Sequence, residues 1–232
     1  GGFFRLAALS GGMNTRDRYA IAAGFVALSA AVSLLAAPEL PEQLVTNWGS
    51  DGEPNGTMDR TAALALVPGL GAVLLVLFAL VPRIDPLREN IESFRRYYDW
   101  FVVVFAAYLT VLHAGIVAFN LGYAFDMTLF VLAGVAGLFY YVGILLENAE
   151  RNWFVGIRTP WTMSSDEVWR RTHALGARLF KLTAVLAVVG LAFGEYAVFF
   201  LVVPALSTAA VTVVYSYYRY EQLDGGDPAG GV

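Results

Sequence analysis

The sequence predicts an all-α integral membrane protein, a bundle of six transmembrane helices with both termini in the cytoplasm. Three observations favour this fold: 58% of the 232 residues are hydrophobic, they are concentrated in long uncharged runs, and basic residues occupy alternate connections between these runs. A soluble domain is usually about 45–50% apolar. The excess and its concentration in runs favour membrane-spanning helices over a soluble core.

Six stretches are apolar enough, and long or nearly long enough, to cross a bilayer, which takes about 20 residues of helix. They are Tyr19–Ala37, Thr61–Val81, Trp100–Phe119, Met127–Leu146, about Leu175–Gly194, and Tyr196–Tyr217. Pro38 and Pro82 are expected to end the first two. The fifth carries Arg178 and Lys181 near its start, and such side chains can reach back to the membrane surface. The connection Gly194–Tyr196 is so short that the last two helices must form an antiparallel hairpin.

The positions of the basic residues predict the orientation, because lysine and arginine are enriched in cytoplasmic loops. Fourteen of the fifteen lie before helix one, between helices two and three, between four and five or at its start, or after helix six: Arg5, Arg16, Arg18, Arg83, Arg88, Arg95, Arg96, Arg151, Arg158, Arg170, Arg171, Arg178, Lys181 and Arg219. The opposite side has only Arg60. This asymmetry predicts cytoplasmic termini and a plasma-membrane location, and it supports a count of six helices.

Four parts are expected along the chain: an upstream extension or expression remnant, an N-terminal two-helix unit, a four-helix unit and a flexible tail. Their bounds are 1–12, 13–99, 100–220 and 221–232.

Two connections are long enough to carry function: an external loop at 38–60 and a cytoplasmic loop at 147–174. A shorter cytoplasmic loop lies at 82–99. Long loops in helical bundles are more often functional than accidental. The loop 82–99 is expected to form an amphipathic helix on the membrane or bundle. Its apolar face would comprise Ile84, Leu87, Ile91 and Phe94.

The densest set of candidate functional residues lies in the loop 147–174. Pro160 keeps Thr159 out of helical geometry, and Ser164 and Glu167 have the spacing of a capping box, so a helix is expected to begin near Ser165. Arg158 could bind an anion, stack on an indole or simply anchor the loop at the membrane surface. Both the binding interpretation and the anchoring interpretation stay open at this point.

The same loop holds a Gly-Ile-Arg-Thr-Pro-Trp-Thr run and a following Trp-x-x-x-His. Together with flanking positions, the pattern comprises Asn152, Gly156, Ile157, Arg158, Thr159, Pro160, Trp161, Thr162, Ser164, Trp169, Thr172 and His173. This pattern resembles the C-terminal hallmark of the SdpI family of multi-pass bacterial immunity proteins. The segment Pro82–Pro86 and Tyr97 are similar to the family's second cytoplasmic loop.

The external loop resembles a small domain of unknown function that often precedes the SdpI segment. Its candidate ligand-binding residues are Asn47, Trp48, Glu53 and Asn55. That domain usually has His before the Trp, whereas this chain has Asn47.

The family resemblance implies a receptor or immunity protein that gives resistance to a secreted peptide toxin, without catalysis. It also implies possible signalling through a cytoplasmic transcriptional repressor. The cytoplasmic partner site would comprise the SdpI-like positions Asn152, Gly156, Arg158, Thr159, Pro160, Trp161, Thr162, Trp169 and His173.

Two alternatives remain open from the residues: a small-solute or ion transporter or channel, and a membrane-surface enzyme acting on lipids. The enzyme would depend on convergence of Asn152, Asp166, Glu167 and His173.

Other functions are disfavoured by composition. The chain has no cysteine, and its net charge of −4 argues against direct nucleic-acid binding. Only two histidines are present, so no metal site and no cofactor are expected. His113 falls in the middle of the third span, where we expect a neutral imidazole hydrogen-bonded to a neighbouring helix. His173 is expected to pack beneath the Arg158 loop and to hydrogen-bond its backbone. Composition does not indicate an oligomeric state.

Overall fold

The computed structural model describes residues 12–224 and shows a helical bundle with one small β-hairpin. Six long helices carry the fold, and two short helices lie in the connections. In chain order the elements are α1 (Thr15–Ala36), β1 (Gln43–Trp48), β2 (Pro54–Asp59), α2 (Arg60–Ile84), α3 (Arg88–Ser93), α4 (Arg95–Asn120), α5 (Met127–Asn148), α6 (Pro160–Ser164), α7 (Asp166–Gly190) and α8 (Ala197–Asp224). The proposed extension at 1–12 lies almost wholly outside the described residues.

Five helical stretches are long and apolar enough to cross a membrane, and the fifth, Asp166–Leu223, contains both α7 and α8. The chain reverses between them within the 3₁₀ segment Leu191–Tyr196, where Gly194 has φ of +57°. The Thr183 and Thr208 hydroxyls meet at 3.3 Å across the two helices. The predicted antiparallel hairpin of the last two helices is therefore confirmed.

Short polar side chains begin four of the long helices by accepting hydrogen bonds from their first-turn N–H groups, which have no partner within the helix. The capping side chains are Asn14 for α1, Asp59 for α2, Asp126 for α5 and Ser165 for α7. Helix α2 continues through Pro82 to Ile84, so the predicted stop at Pro82 is wrong. Helix α8 runs to Asp224, which extends helix into the predicted tail; the rest of that tail lies outside the described residues.

The connection at 38–60 is not an irregular loop, as the all-α prediction assumed. It holds an antiparallel hairpin in which Gln43 pairs with Asp59 and Leu44 with Met58. Leu44 is fully buried against Leu40, Ala63 and Leu64, so the hairpin packs on the bundle.

The long helices alternate in direction, which gives the bundle two distinct ends. We call one the hairpin end, which includes 37–60, 121–126 and 191–196. The other is the motif end, which includes 12–14, 85–94 and 149–165. Helix α1 packs on α4, α5 packs on α7, and α7 packs on α8.

The core at the motif end includes Ile91, Phe94 and Tyr98, all nearly inaccessible. The expected amphipathic helix in the loop 82–99 is only partly present. Helix α3 is short, and Ile84 is 58% exposed, so it does not share the buried face of Ile91 and Phe94. Helix α2 continues to Ile84, and the Ile84 side chain therefore lies on the exposed surface of α2.

Candidate functional site

Asn152 organises the loop at the centre of the motif end. Its side chain is fully buried, and its Oδ1 accepts hydrogen bonds from the N–H groups of Phe154 (2.9 Å) and Val155 (2.6 Å). Its Nδ2 donates to the carbonyl oxygens of Glu150 (2.8 Å) and Val155 (2.9 Å). A side-chain amide has two N–H donors and two acceptor lone pairs. All four are used, so Asn152 shapes this loop rather than facing a ligand.

His173 lies beneath the same loop, as expected from the sequence. Its Nε2 accepts a hydrogen bond from the Ile157 N–H at 3.0 Å, and its Nδ1 lies 2.9 Å from the Trp169 carbonyl oxygen. An N–H donor at Nε2 requires an unprotonated nitrogen there, and a carbonyl at Nδ1 requires a proton. The geometry therefore assigns a neutral imidazole with its proton on Nδ1. The ring also stacks on Trp169, with centroids 3.9 Å apart.

The loop backbone packs so closely on His173 and Trp169 that position 156 must be glycine. Its φ of +122° lies in a region that favours glycine. A Cβ atom here would collide with His173 Nε2 and approach the Trp169 ring to 3.1 Å. Gly176 on α7 similarly leaves room for the Ile157 side chain. The glycine in the sequence motif thus allows the loop backbone to reach the imidazole.

Thr159 and Thr162 join the loop to two helices. They form a capping box for α6, in which each side chain bonds the backbone N–H of the other. Thr159 Oγ1 lies 3.0 Å from Ser216 Oγ on α8, and Thr162 Oγ1 donates to the Ile157 carbonyl at 2.8 Å. The predicted capping box between Ser164 and Glu167 is wrong, because Ser165 caps α7. The Glu167 carboxylate pairs with Arg170 and Arg171.

Asp85 connects the two motif-end loops, a role that sequence reasoning did not assign. Its Oδ2 accepts from the Trp153 N–H at 2.8 Å and its Oδ1 from the Leu87 N–H at 2.7 Å. The side chain of Asn90 adds a bond to the Arg151 carbonyl at 2.6 Å. The resemblance of Pro82–Pro86 to a family loop was the available signal.

Only part of the predicted partner site faces outward. Arg158 and Pro160 are exposed, and their neighbours Trp153 and Phe154 are 51% and 43% exposed. Arg158 donates to the Trp153 carbonyl oxygen and does not stack on an indole. Trp161 packs instead on Tyr217, with centroids 5.1 Å apart. The exposed residues form a small aromatic and cationic surface over a hydrogen-bonded base.

The hairpin end brings the external-loop candidates to the surface. Asn47, Glu53 and Asn55 are exposed, whereas Trp48 is half-buried and packs edge-on against Phe119 at 5.2 Å. Asn47 and Trp48 line a cleft of about 360 Å³ against the start of α5 and Val198 on α8.

Two polar residues that the sequence analysis missed fix the hairpin to the bundle. Asn120 pairs with both backbone groups of Val45, at 2.8 and 2.9 Å. Thr128 Oγ1 donates to the Gly49 carbonyl at 2.8 Å. Their isolated positions at the ends of apolar helices gave no clear sign of this role.

His113 is buried between helices and bonds a neighbouring helix, as predicted. Its Nε2 lies 2.7 Å from Ser33 Oγ, which also lies 2.8 Å from the Leu64 carbonyl oxygen. Pro68 has no N–H, so the Leu64 carbonyl lacks its normal helical donor. When Ser33 donates its proton to this carbonyl, the Ser33 Oγ accepts a hydrogen bond from a protonated His113 Nε2.

Comparisons with known proteins match two segments of the chain. Residues 148–216, which hold the loop at 149–165, α7 and most of α8, match the SdpI/YfhL protein family. Over this segment the chain is similar to the SdpI family. Residues 24–72, which hold the β-hairpin and about half of each flanking helix, match a domain of unknown function (DUF1648). The predicted resemblance to both is confirmed.

A curated relative extends the SdpI similarity beyond the matched segment. The chain is 23% identical over 202 residues to Immunity protein SdpI of Bacillus subtilis (strain 168), covering 86% of this chain and 94% of that protein. No solved structure matches the chain significantly. Together with the five apolar helical stretches, the SdpI similarity identifies a multi-pass membrane protein.

Proposed function

We propose that this chain is a non-enzymatic membrane immunity protein of the SdpI type, which protects its cell against a secreted peptide toxin. One observation carries the proposal: the similarity to Immunity protein SdpI extends over nearly the full length of both chains. It includes the hairpin end as well as the motif end. A shared arrangement of both ends favours a shared role over reuse of a single segment.

We propose six spans, with both termini and the motif end in the cytoplasm and the hairpin end outside. Helices α7 and α8 would each cross once, because the chain reverses at Gly194. Among residues 12–224, Arg60 is the one basic residue at the hairpin end. Seven acidic residues share that end: Glu39, Glu42, Asp51, Glu53, Asp59, Asp126 and Glu195. The bias of basic residues toward the opposite end supports a cytoplasmic motif end.

The polar groups that could have supported catalysis are already engaged within the fold. Asn152 uses all its hydrogen-bonding groups, His173 is neutral between two backbone partners, and Asp166 pairs with Arg151 at 2.7 Å. Glu167 pairs with two arginines of its own helix. A catalytic set needs mutually placed groups directed at one reacting atom. These contacts favour a binding protein over the lipid-acting enzyme.

The two ends of the bundle would bind different partners. The acidic hairpin end, with its cleft at Asn47 and Trp48, would bind a toxin that carries basic groups, because opposite charges accelerate association. The motif end would present Trp153, Phe154 and Arg158 to a cytoplasmic repressor. The hydrogen-bonded base beneath these residues would hold them in a fixed arrangement.

Expression in a toxin-sensitive host tests the immunity proposal. Cells expressing the chain should survive at least one of a broad set of secreted, membrane-active peptides that kills the vector control. Gly156→Val should abolish this protection through its collision with His173. Gly137→Val is the matched control, because that position opens onto free space. Unchanged killing by every peptide would refute immunity.

Signalling is tested separately, with the same cells and a fluorescently tagged small winged-helix repressor encoded near this chain. Toxin should move the repressor to the membrane in cells expressing the chain. Phe154→Ala combined with Arg158→Ala should prevent this movement while leaving protein abundance unchanged. A repressor that stays in the cytoplasm with the unaltered chain would contradict the signalling proposal and leave immunity standing.

A further inference from the structure

A lateral groove lies between α1 and α2, in the halves of these helices nearest the hairpin end. Its volume is about 720 Å³, and its lining includes Ala30, Ser33, Arg60, Leu64, Ala65 and Pro68. Small side chains create the space, because alanine fills little of the volume between two helices. The groove lies away from the cleft at Trp48 and from the motif-end loop.

The body of the groove matches a hydrocarbon chain. Its walls are mostly apolar, and the surrounding outer surfaces of both helices expose large apolar residues such as Leu34 (78%) and Leu66 (51%). Such surfaces are normal only where they face lipid tails. A groove in that surface excludes water and would be filled by the acyl chain of a neighbouring lipid.

Arg60 is the charged residue that lines the hairpin end of the groove. Its side chain is half-buried, and its guanidinium is held by one bond to the Leu40 carbonyl at 2.8 Å. Among residues 12–224 it forms no ion pair. Two exposed acidic residues adjoin it along the backbone: Glu42, whose carbonyl accepts from the Arg60 N–H at 2.9 Å, and Glu39, which precedes Leu40. The remaining guanidinium N–H groups suit a phosphate, and the two carboxylates suit a cation in the same headgroup.

We propose that this groove binds one zwitterionic phospholipid with a primary ammonium in its headgroup. The acyl chain occupies the space beside Ala30 and Ala65, Arg60 binds the phosphate, and Glu39 and Glu42 attract the ammonium. This charge pattern selects against phosphatidylglycerol, whose headgroup has the phosphate but no cation. It also disfavours phosphatidylcholine, whose quaternary ammonium has no N–H to donate.

The bound lipid would fill the groove between the two helices. It would therefore stabilise the helix pair that supports the β-hairpin. This role is independent of immunity and would hold whether or not a toxin is found.

Native mass spectrometry of the full chain, released from nanodiscs of equal phosphatidylethanolamine, phosphatidylglycerol and phosphatidylcholine, tests the proposal. One phosphatidylethanolamine per chain should be retained in preference to the other two lipids. Arg60→Gln should reduce this retention about tenfold, the effect of losing one charged hydrogen bond. Glu39→Gln with Glu42→Gln should remove the preference over phosphatidylglycerol while an acyl lipid is still retained.

A second experiment fills the groove with a large side chain. Ala65→Phe, at an accessible position in the groove, should abolish retention, whereas Ala210→Phe on the exposed face of α8 should not. Retention of phosphatidylglycerol as strongly as phosphatidylethanolamine would overturn the headgroup assignment. Unchanged retention in Ala65→Phe, or displacement of the lipid by an apolar basic peptide added at equal concentration, would overturn the lipid as occupant.

Discussion

The Asp85 carboxylate accepts a hydrogen bond from the backbone N–H of Trp153 at 2.8 Å, joining loops 68 positions apart in sequence. The same side chain accepts from the Leu87 N–H and is 3% exposed. One buried carboxylate thus fixes both loops of the motif end. The position of the exposed Trp153 and Phe154 depends on this contact.

Asp85→Ala should lower the free energy of unfolding by about 1–3 kcal/mol, because two backbone N–H groups, of Leu87 and Trp153, lose their acceptor. Thermal unfolding of the purified protein in detergent measures the change. Glu89→Ala is the control, since Glu89 is exposed on α3 and forms none of these bonds. Equal stability of the two variants would contradict the role given to Asp85.

Replacing Gly156 should disrupt the motif loop even with the smallest side chain. Gly156→Ala combines an unfavourable φ of +122° with a collision at His173, and should destabilise the protein by about 1–3 kcal/mol. Gly137→Ala should be neutral or slightly stabilising, since alanine favours helix. Detergent-solubilised yield and melting temperature of both variants provide the comparison. A Gly156→Ala protein as stable as the unaltered chain would exclude the tight loop–imidazole packing.

Ser33 and Pro68 should be energetically coupled through the Leu64 carbonyl. Ser33→Ala should cost about 1 kcal/mol, because the Leu64 carbonyl and the His113 N–H lose a partner. In a Pro68→Ala background the cost should fall, since the introduced alanine supplies the missing helical N–H. A double-mutant cycle on thermal stability measures this coupling. Strictly additive effects would mean that the Ser33 hydroxyl does not replace the backbone N–H that Pro68 lacks.

Asn120 should hold the hairpin against the bundle. Asn120→Ala removes both of its bonds to Val45 and should increase hydrogen exchange in β1 and β2 while leaving exchange in α7 unchanged. Asn55→Ala, at an exposed position in β2, is the matched control. Hairpin exchange that is identical in the two variants would show that Asn120 does not anchor the strand.

The helices were predictable because they follow from the local composition of the chain. Long apolar runs with basic flanks located each one, and Gly194–Tyr196 indicated the reversal between α7 and α8. The β-hairpin was missed because Pro54–Asp59 contains proline and glycine and shows no alternation of apolar residues. The pairing of its strands depends instead on contacts of Leu44 and Asn120 with the bundle. Such contacts are tertiary and leave no periodic signal.

The candidate site was predictable in location but less so in the role of each residue. The motif identified Asn152, Gly156 and His173, and the expectation that His173 bonds the loop backbone was confirmed. The sequence could not show that Asn152 faces inward, because an asparagine side chain can hydrogen-bond either a ligand or the loop backbone. Asp85 and Ser33 were missed because their partners are distant in sequence.

Membrane-impermeant maleimide labelling of intact cells tests the division between the two ends most directly. The chain has no cysteine, so Asn55→Cys, Glu89→Cys and Glu221→Cys each create a single reactive site. We expect labelling of Asn55→Cys in intact cells, and of the other two only after the membrane is permeabilised. Labelling of Glu89→Cys from outside intact cells would contradict the cytoplasmic placement of the motif end.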